Sequence, residues 1–431
     1  MTRTTQRLSR QTSGDTPIHV GLYSPALPDS GETNGIVTYS RIMRDALRAL
    51  GHSATVLTPQ FIEHVDGRVM EIPMAPKLVR LFNTLVESRP SRIDGSHPAA
   101  RLRLFEGVTA LRQAGVQIFE MEESFGWAGR IARRGLPIVE RLHGPHAFGR
   151  DELETVAQKK RSDAREAAEL RSFERVDAIT CPSQRLLAAI VERGGLPLGI
   201  SHVIPNPIPI ATGTEIWRSE RADPEQILCV GRFDSRKGAD VAIRAFAIAL
   251  QQRPSLKLVM VGPDRGLAQR DGSFVHFDEF MSREMSPHVR ERLQFLGVRR
   301  PERIRELRLD SGLALVASRF ENFAYSIAEA MAIGMPVLAS DTFGNGEMIR
   351  DGVDGRIVPA SDPAAMARAM LAMAGKRDCL ADMGRAAYNR AAEWLAPDRV
   401  AKETVDLYRA VLARRATWKG GSAGRNDQVE V

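Results

Sequence analysis

Two glutamates, Glu321 and Glu329, bracket the start of a predicted helix and are the best indication of chemistry in this chain. The apolar run 313–317 has the length of a strand, and residues 324–333 repeat small and apolar side chains at helical spacing. Eight residues give a net rotation of about 80° on a helix, so the two carboxylates are expected to address different parts of a ligand.

A helix N-terminus suits phosphate, whereas carboxylates suit the paired hydroxyls of sugars. The segment therefore predicts a site for a nucleotide sugar, in which sugars flank phosphate on both sides. The alternative interpretation is that Glu321 caps the helix and Glu329 is a solvated surface residue.

A second motif, G-R-F-D-S-R-K-G at residues 231–238, lies between a strand-like run and a helical pattern. It places Arg232 and Lys237 after the carboxyl end of a strand, which is where open parallel sheets bind ligands. Two cations beside a glycine-led helix start can neutralise a diphosphate without a metal ion, and the sequence contains no Asp-x-Asp pair to hold one. The alternative is an ordinary basic turn.

Taken in order, R-x4-K followed by E-x7-E resembles the family 4 retaining glycosyltransferases of the GT-B fold. Five further segments follow the order that the family shows: V-I-P-N-P at 203–207, L-V-M-V-G-P at 258–263, F-L-G-V at 295–298, P-V-L-A-S-D at 336–341 and D-G-V-D-G at 351–355. The resemblance covers about residues 18–414. It implies an α/β protein of two doubly wound Rossmann-like domains facing across a cleft, with a C-terminal helix that crosses back to the first domain.

The resemblance also implies roles for individual residues. Glu329 would bind the ribose hydroxyls, and Glu321 would hold the donor hexose, while Arg232 and Lys237 would stabilise the charge on the leaving diphosphate. The remaining donor-binding residues expected in the second domain are Phe323, Ala324, Tyr325, Gly262 and Val298. The family commonly shows E-G-F-G where this chain has E-N-F-A at residues 321–324, so the approach of the backbone to the hexose is expected to differ.

In the first domain, the loop at residues 28–37 resembles the family's donor-phosphate loop. Asn34 replaces the usual first glycine, and Gly35 keeps the second. His143, in R-L-H-G-P-H, falls where the family places a catalytic histidine against the donor sugar, although a lone histidine after a strand can also be structural. His146 is interpreted as loop surface or acceptor wall.

Ten strand-like runs alternate with helical or loop segments and predict two parallel sheets. The runs are residues 18–23, 54–57, 116–119, 137–142 and 177–181, then 226–230, 256–261, 294–296, 313–317 and 336–339. The expected organisation is a disordered leader (1–15), an acceptor domain (16–208), a donor domain (209–395), a crossover helix (396–415) and a disordered tail (416–431). A linker is predicted at residues 205–224 from its content of Pro, Thr and Ser.

Composition excludes several classes of function. The net charge of +7 is spread evenly along the chain, and aromatics make up only 6%, which argues against nucleic-acid binding. No apolar stretch is long enough to span a membrane, and three well-separated cysteines indicate neither disulfides nor zinc. A reducing cytoplasm is the simplest location. An amphipathic helix at residues 76–87, with Lys77 and Arg80 beside its apolar face, predicts either peripheral contact with an anionic membrane or packing on its own domain.

The expected activity is the retaining transfer of a hexose from a nucleoside diphosphate sugar to a saccharide or lipid-linked saccharide, without cofactor or metal. Surface polysaccharide or glycolipid biosynthesis is the expected context. The alternatives are a sugar-nucleotide epimerase or hydrolase, transfer to a small-molecule acceptor, and a non-catalytic binding protein. The acceptor is expected to bind the loops at residues 61–106 and 122–149, which match no specific motif.

Overall fold

The N-terminal half of the chain folds around a single mixed sheet. The computed structural model describes residues 16–32, 34–86, 98–148, 156–194 and 200–422, so the predicted leader lies outside it. The strands are β1 (His19–Tyr23), β2 (Ser53–Leu57), β3 (Phe61–Glu63), β4 (Val69–Glu71), β5 (Ile118–Glu122), β6 (Ile138–Arg141), β7 (Ala178–Cys181) and β8 (Ser201–Val203). Their order is β4-β3-β2-β1-β5-β6-β7-β8, in which β3 pairs antiparallel with both β2 and β4 and the other neighbours pair parallel.

The described residues of this half form six helices over the sheet: α1 (Gly35–Ala49), α2 (Pro76–Val86), α3 (Pro98–Gln113), α4 (Trp127–Ile131), α5 (Val156–Phe173) and α6 (Gln184–Gly194). All residues of β5 and β6 are buried, as expected for central parallel strands with helices on both faces. Both strands nevertheless carry charged residues, which lie in the sheet beside the cleft.

The second half repeats the scheme with an entirely parallel sheet in the order β14-β11-β9-β15-β16-β17. Its strands are β9 (Asp223–Val230), β11 (Lys257–Val261), β14 (Leu293–Phe295), β15 (Ser311–Val316), β16 (Val337–Asp341) and β17 (Arg356–Pro359). Three short strands, β10 (Phe233–Asp234), β12 (Asp264–Ala268) and β13 (Phe274–Val275), form a separate small sheet.

Within residues 200–422, nine helices complete this half: α7 (Ala239–Gln252), α8 (Phe277–Glu284), α9 (Pro287–Arg292), α10 (Pro301–Asp310), α11 (Tyr325–Ile333), α12 (Asn345–Met348), α13 (Pro363–Met373), α14 (Arg377–Trp394) and α15 (Pro397–Ser422). Helix α15 packs on α1, and its Val400, Val405 and Tyr408 are buried in the core of the first domain. The predicted pair of doubly wound, Rossmann-like domains is thereby confirmed.

One expectation about the ends of the second domain was wrong, that of a disordered tail from residue 416 onward. In the predicted linker, Ile208 and Trp217 are buried and donate backbone hydrogen bonds to Leu395 and Ile333 of the second domain. The last helix continues to Ser422, into the predicted disordered tail, and only residues 423–431 of that tail lie outside the described chain. The sequence gives only weak indications of the apolar contacts that the linker makes and of the helical spacing near the terminus.

Seven strands were not predicted: β3, β4, β8, β10, β12, β13 and β17. All are short, at two to five residues, and too brief for a clear periodic pattern to emerge. Among the residues described, no helix is both long and apolar enough to cross a membrane.

Candidate functional site

The basic turn after β9 is organised by an acidic residue inside it. Asp234 accepts hydrogen bonds from Arg232 Nε at 2.7 Å and from the backbone N–H of Lys237 at 2.7 Å. Gly238 follows in the left-handed region (φ +64°), and a Cβ there would lie 1.9 Å from the carbonyl oxygen of Ala317. The turn is therefore fixed against the end of β15, which delivers Glu321.

Lys237 reaches Glu321 directly. Lys237 Nζ donates a hydrogen bond to Glu321 Oε1, and Ser318 Oγ donates to the same oxygen at 3.4 Å. The Glu321 side chain is only 9% exposed, whereas Lys237 is 28% and Arg232 45% exposed. Lys237 thus contacts a nearly buried carboxylate, while Arg232 of the same turn pairs with Asp234 and stays half-exposed, so the turn can accept an anionic ligand.

Glu329 lies in helix α11, and its ion-pair partner differs from that of Glu321. Its carboxylate forms an ion pair with Arg308 of α10, whose side chain is 11% exposed while that of Glu329 is 36% exposed. Sequence reasoning missed Arg308, because a basic residue on a charged helix gives no signal. The contact holds Glu329 in place while leaving part of its carboxylate accessible.

Three loops that follow β9, β11 and β14 form the floor beside the cations. Gly262 N–H donates to the Gly297 carbonyl at 3.0 Å, and a Cβ on Gly262 would lie 2.0 Å from the Gly231 carbonyl oxygen. Only glycine fits this close approach, at φ +148°. Val298 stands at the rim and is 63% exposed, so a flat ligand could rest on it.

The N-terminus of α11 points toward the first domain. Ala324 occupies the N-cap position without a side-chain cap, so the first N–H groups of this helix lack intrahelical acceptors. Phe323 is buried beneath it, and a Cβ on Gly35 would be 3.5 Å from the Tyr325 ring. Asn34 caps the opposing helix α1, since its Oδ1 accepts from the backbone N–H of Ile36 at 2.8 Å. The structure thus uses Asn34 to start the helix that carries Gly35.

His143 follows β6 and faces the same cleft. Its ring lies edge-on to Tyr39 at a centroid distance of 4.9 Å. Burial, and secondarily the charge of Arg141, lowers the pKa of His143 well below its usual value, so the imidazole is neutral at neutral pH. His146 starts the short helical turn that follows, and its N–H donates to Glu169 at 2.8 Å. A neutral His143 ring can donate or accept one hydrogen bond to a sugar hydroxyl.

Beneath His143 lies a cluster of buried carboxylates that sequence reasoning missed. Glu123 Oε2 accepts from His143 N–H at 2.9 Å, and its Oε1 accepts from Gly144 N–H at 2.7 Å. Burial, reinforced by the charges of Glu122 and Glu169, raises the pKa of Glu123 to about 8. Burial also raises the pKa values of Glu122, Glu140 and Glu169. The only sequence signal was the density of acidic residues in a strand-like region.

This cluster predicts an unusual dependence of stability on pH. The folded protein binds the Glu123 proton more tightly than the unfolded chain, whose pKa is near 4.5, so stability is highest below that value and falls as pH rises through about 8. We expect the free energy of unfolding of Glu123→Gln, measured by urea denaturation at pH 5, 7 and 9, to fall less steeply than that of the wild type. Gln at the exposed position Glu192 should leave the slope unchanged, and equal slopes for Glu123→Gln and wild type would contradict the assignment.

A further contact joins the two domains at a distance from the cations. Glu347 Oε2 accepts from Gln184 N–H at 2.9 Å and its Oε1 accepts from Arg185 N–H at 2.6 Å, so a residue of the second domain caps α6 of the first. Arg185 also forms an ion pair with Asp341 at 2.6 Å. The domains are thus held together on this side by charge-assisted bonds.

Among the predicted residues, Lys237 contacts Glu321 within the second domain, and Gly35 of the first domain lies next to Tyr325 of the second, while the His143 carbonyl accepts a hydrogen bond from Asn322. Within the described residues, no group of three or more His, Cys, Asp or Glu side chains is placed to hold a metal ion.

Both halves of the chain match known sequence families. Residues 33–212 match the family described as Glycosyltransferase Family 4, and residues 214–390 match the one described as Glycosyl transferases group 1. A D-inositol 3-phosphate glycosyltransferase of Nocardia farcinica is 35% identical over 166 residues, which are 38% of this chain and 36% of that protein. The alignment thus spans little more than a third of the length of that relative.

Solved structures share the whole architecture. A sucrose-phosphate synthase from Thermosynechococcus elongatus superposes with a TM-score of 0.67 at 20% identity, covering 92% of this chain and all of that one. HepE of Anabaena, solved in complex with UDP-glucose, superposes with a TM-score of 0.58 at 17% identity, covering 91% of this chain and all of that one. At these identities the likeness shows the fold.

Proposed function

This chain belongs to glycosyltransferase family 4 and has the GT-B fold, and from that premise we propose that it transfers a hexose from a nucleoside diphosphate sugar to a hydroxyl of a saccharide or lipid-linked saccharide, with retention of configuration. The observation that carries the proposal is the contact of Lys237 with Glu321, whose next residue, Asn322, donates a hydrogen bond to the His143 carbonyl of the first domain. Surface polysaccharide or glycolipid biosynthesis in the cytoplasm is the proposed context.

The two cations supply the main catalytic effect. As the glycosidic bond breaks, negative charge grows on the departing diphosphate, and Arg232 and Lys237 are placed to stabilise it more strongly than they stabilise the ground state. The ion pair with Glu321 orients the ammonium of Lys237. The positive charges of Arg232 and Lys237 would neutralise the diphosphate in place of a divalent ion, so transfer is proposed to proceed without added metal.

The carboxylates bind rather than exchange protons. Glu321 would hold hexose hydroxyls together with N–H groups at the start of α11, and Glu329, supported by Arg308, would take the ribose hydroxyls. Gly262 and Val298 would border the nucleobase. Neutral His143 would hydrogen-bond a donor hydroxyl, while a phosphate oxygen accepts the proton of the attacking acceptor. In this proposal no protein side chain acts as a nucleophile.

A donor panel tests the proposal. The purified chain would be incubated with nucleoside diphosphate hexoses, UDP-glucose first because HepE was solved with it, in the presence of EDTA and of glycan or glycolipid acceptors. Mass spectrometry should show an acceptor heavier by one hexose residue and release of the nucleoside diphosphate. Conversion of the donor with no acceptor present would favour an epimerase or hydrolase, and activity that is lost in EDTA would refute metal independence.

We also propose that the acceptor is reached at an anionic membrane surface through α2. Val79 and Leu81 of this helix are 41% and 46% exposed, and the exposed Lys77 and Arg80 lie beside them. Phe82 is partly covered by the Arg103 guanidinium, 4.5 Å from its ring centroid, so part of the apolar face packs on its own domain and part is left to solvent. Residues 87–97, which follow, lie outside the described chain.

Replacing Leu81 by Glu should therefore weaken binding to phosphatidylglycerol vesicles about tenfold in co-sedimentation, since it removes one apolar side chain and adds a negative charge. Binding to phosphatidylcholine vesicles is expected to be weak for both proteins. A Glu at Val353, which is 50% exposed on the second domain, is the matched control. If the two variants behaved alike, α2 would not be the contact surface.

A further inference from the structure

Asn322, the residue after Glu321, belongs to the second domain, but its side chain donates hydrogen bonds to the first domain. Its Nδ2 donates to the backbone carbonyls of Leu142 at 3.1 Å and of His143 at 3.2 Å. Both partners are acceptors, so only the amide nitrogen can face them. The residue is 2% exposed, and within the described chain its Oδ1 is buried without a hydrogen-bond partner.

The same peptide segment is held from its other side by the first domain. Glu123 accepts from the N–H groups of His143 and Gly144, at 2.9 and 2.7 Å, while Asn322 takes the carbonyls of Leu142 and His143. Backbone donors and acceptors of the segment are therefore satisfied by two side chains, one from each domain. The Glu123 bonds persist if the domains separate, but the Asn322 bonds exist only when they are closed.

We propose that Asn322 is a positioning residue that fixes the His143 segment for donor turnover when the domains close. This inference rests on the proposed function. The pattern E-G-F-G, which this chain's E-N-F-A resembles, has no side chain at this position, so a glycine could not make these bonds. Asn322 thereby links the loop that carries Glu321 to the backbone that carries the neutral imidazole, and both ends of the donor hexose site are assembled in one step.

Losing two neutral hydrogen bonds of ordinary strength should lower the population of the correctly assembled site about 10- to 30-fold. The loss should appear in kcat, because the cations and Glu329 that bind the nucleotide are untouched. We expect Asn322→Ala to lower kcat for UDP release from UDP-glucose about 10-fold, with the dissociation constant for UDP changed less than threefold. Asn322→Asp should be worse, since a carboxylate would face two carbonyl oxygens.

Two matched variants separate positioning from other effects. Asn345 is equally buried, its Nδ2 donates at 3.2 Å to Ser340 within the second domain, and its Oδ1 also lacks a partner among the described residues. Asn345→Ala should therefore reduce thermal stability comparably but leave kcat per folded molecule nearly unchanged. Glu347→Ala removes the interdomain hydrogen bonds that cap α6 and should loosen closure without the same loss in kcat at saturating donor.

An unchanged kcat in Asn322→Ala, or an equal loss of kcat in Glu347→Ala, would overturn the proposal. A ligand-free readout keeps it testable if no donor is turned over, an outcome that would refute the proposed function instead. In that case, amide hydrogen exchange at His143 and Gly144 should be at least several-fold faster in Asn322→Ala than in wild type or Asn345→Ala. Equal exchange rates in all three proteins would show that Asn322 does not hold this segment.

Discussion

Lys237→Ala is expected to lower kcat/KM for hexose transfer by about 10²- to 10³-fold, the usual loss when one preorganised charge partner of a transition state is removed. The Lys237 ammonium, at the end of the basic turn, forms an ion pair with Glu321. This contact holds it where the departing diphosphate is expected to lie. Arg232 remains in the variant and limits the loss, because it can still neutralise part of the charge. Steady-state kinetics with the donor identified by the panel would measure the effect.

The variant also leaves Glu321 nearly buried without its partner, so a fall in stability must be separated from a fall in catalysis. The double variant Lys237→Ala with Glu321→Gln removes both charges and should recover much of the lost stability, yet transfer should stay at least as low. Lys257→Ala is the control, since Lys257 forms an ion pair with Asp223 at 2.9 Å on the same domain but far from the basic turn. Full activity in Lys237→Ala would refute the site.

The succession of strands and helices along the chain, and the position of Arg232 and Lys237 in the turn after β9, could be predicted from the sequence because both depend on local patterns. Apolar runs of strand length and the glycines that end them fix where Arg232 and Lys237 emerge. Glu321 was placed in the correct loop for the same reason. Its burial was not predicted, since that follows from the packing of the loop against β15 and the basic turn.

The residues that support the site could not be predicted, because their partners lie far away in sequence. Asn322 bonds a segment 180 residues earlier, and Glu347 caps a helix 163 residues earlier. In the sequence, Asn322 was simply a departure from a glycine, and Arg308 was one of many basic residues on an exposed helix. The contacts of Asn322 and Glu347 depend on how the two domains meet, and no periodicity in the sequence indicates that.

The crossover helix α15 offers the largest expected effect on stability. Tyr408 is fully buried in the core of the first domain, and its hydroxyl donates to Glu120 Oε2 at 2.8 Å, while Tyr39 donates to Oε1 at 2.6 Å. Burial raises the pKa of Glu120, and the Arg141 charge and both tyrosine bonds counter that rise. The end of the chain thus completes a buried polar network in a strand adjacent to β6.

Tyr408→Ala should lower the free energy of unfolding by about 3–5 kcal/mol, because it leaves a cavity of aromatic size and an unsatisfied Glu120 oxygen. Tyr408→Phe keeps the ring and loses one bond, so about 1–3 kcal/mol is expected. Urea denaturation measures both, with Ala at the exposed Arg414 of the same helix as the control, for which less than about 0.5 kcal/mol is expected. Because α15 is the covalent continuation of the second domain, its release should also loosen that domain from the first. Amide exchange in Tyr408→Ala should therefore accelerate along α15 before the two sheets unfold. Uniform acceleration throughout the chain would instead show that α15 does not unfold separately from the two sheets.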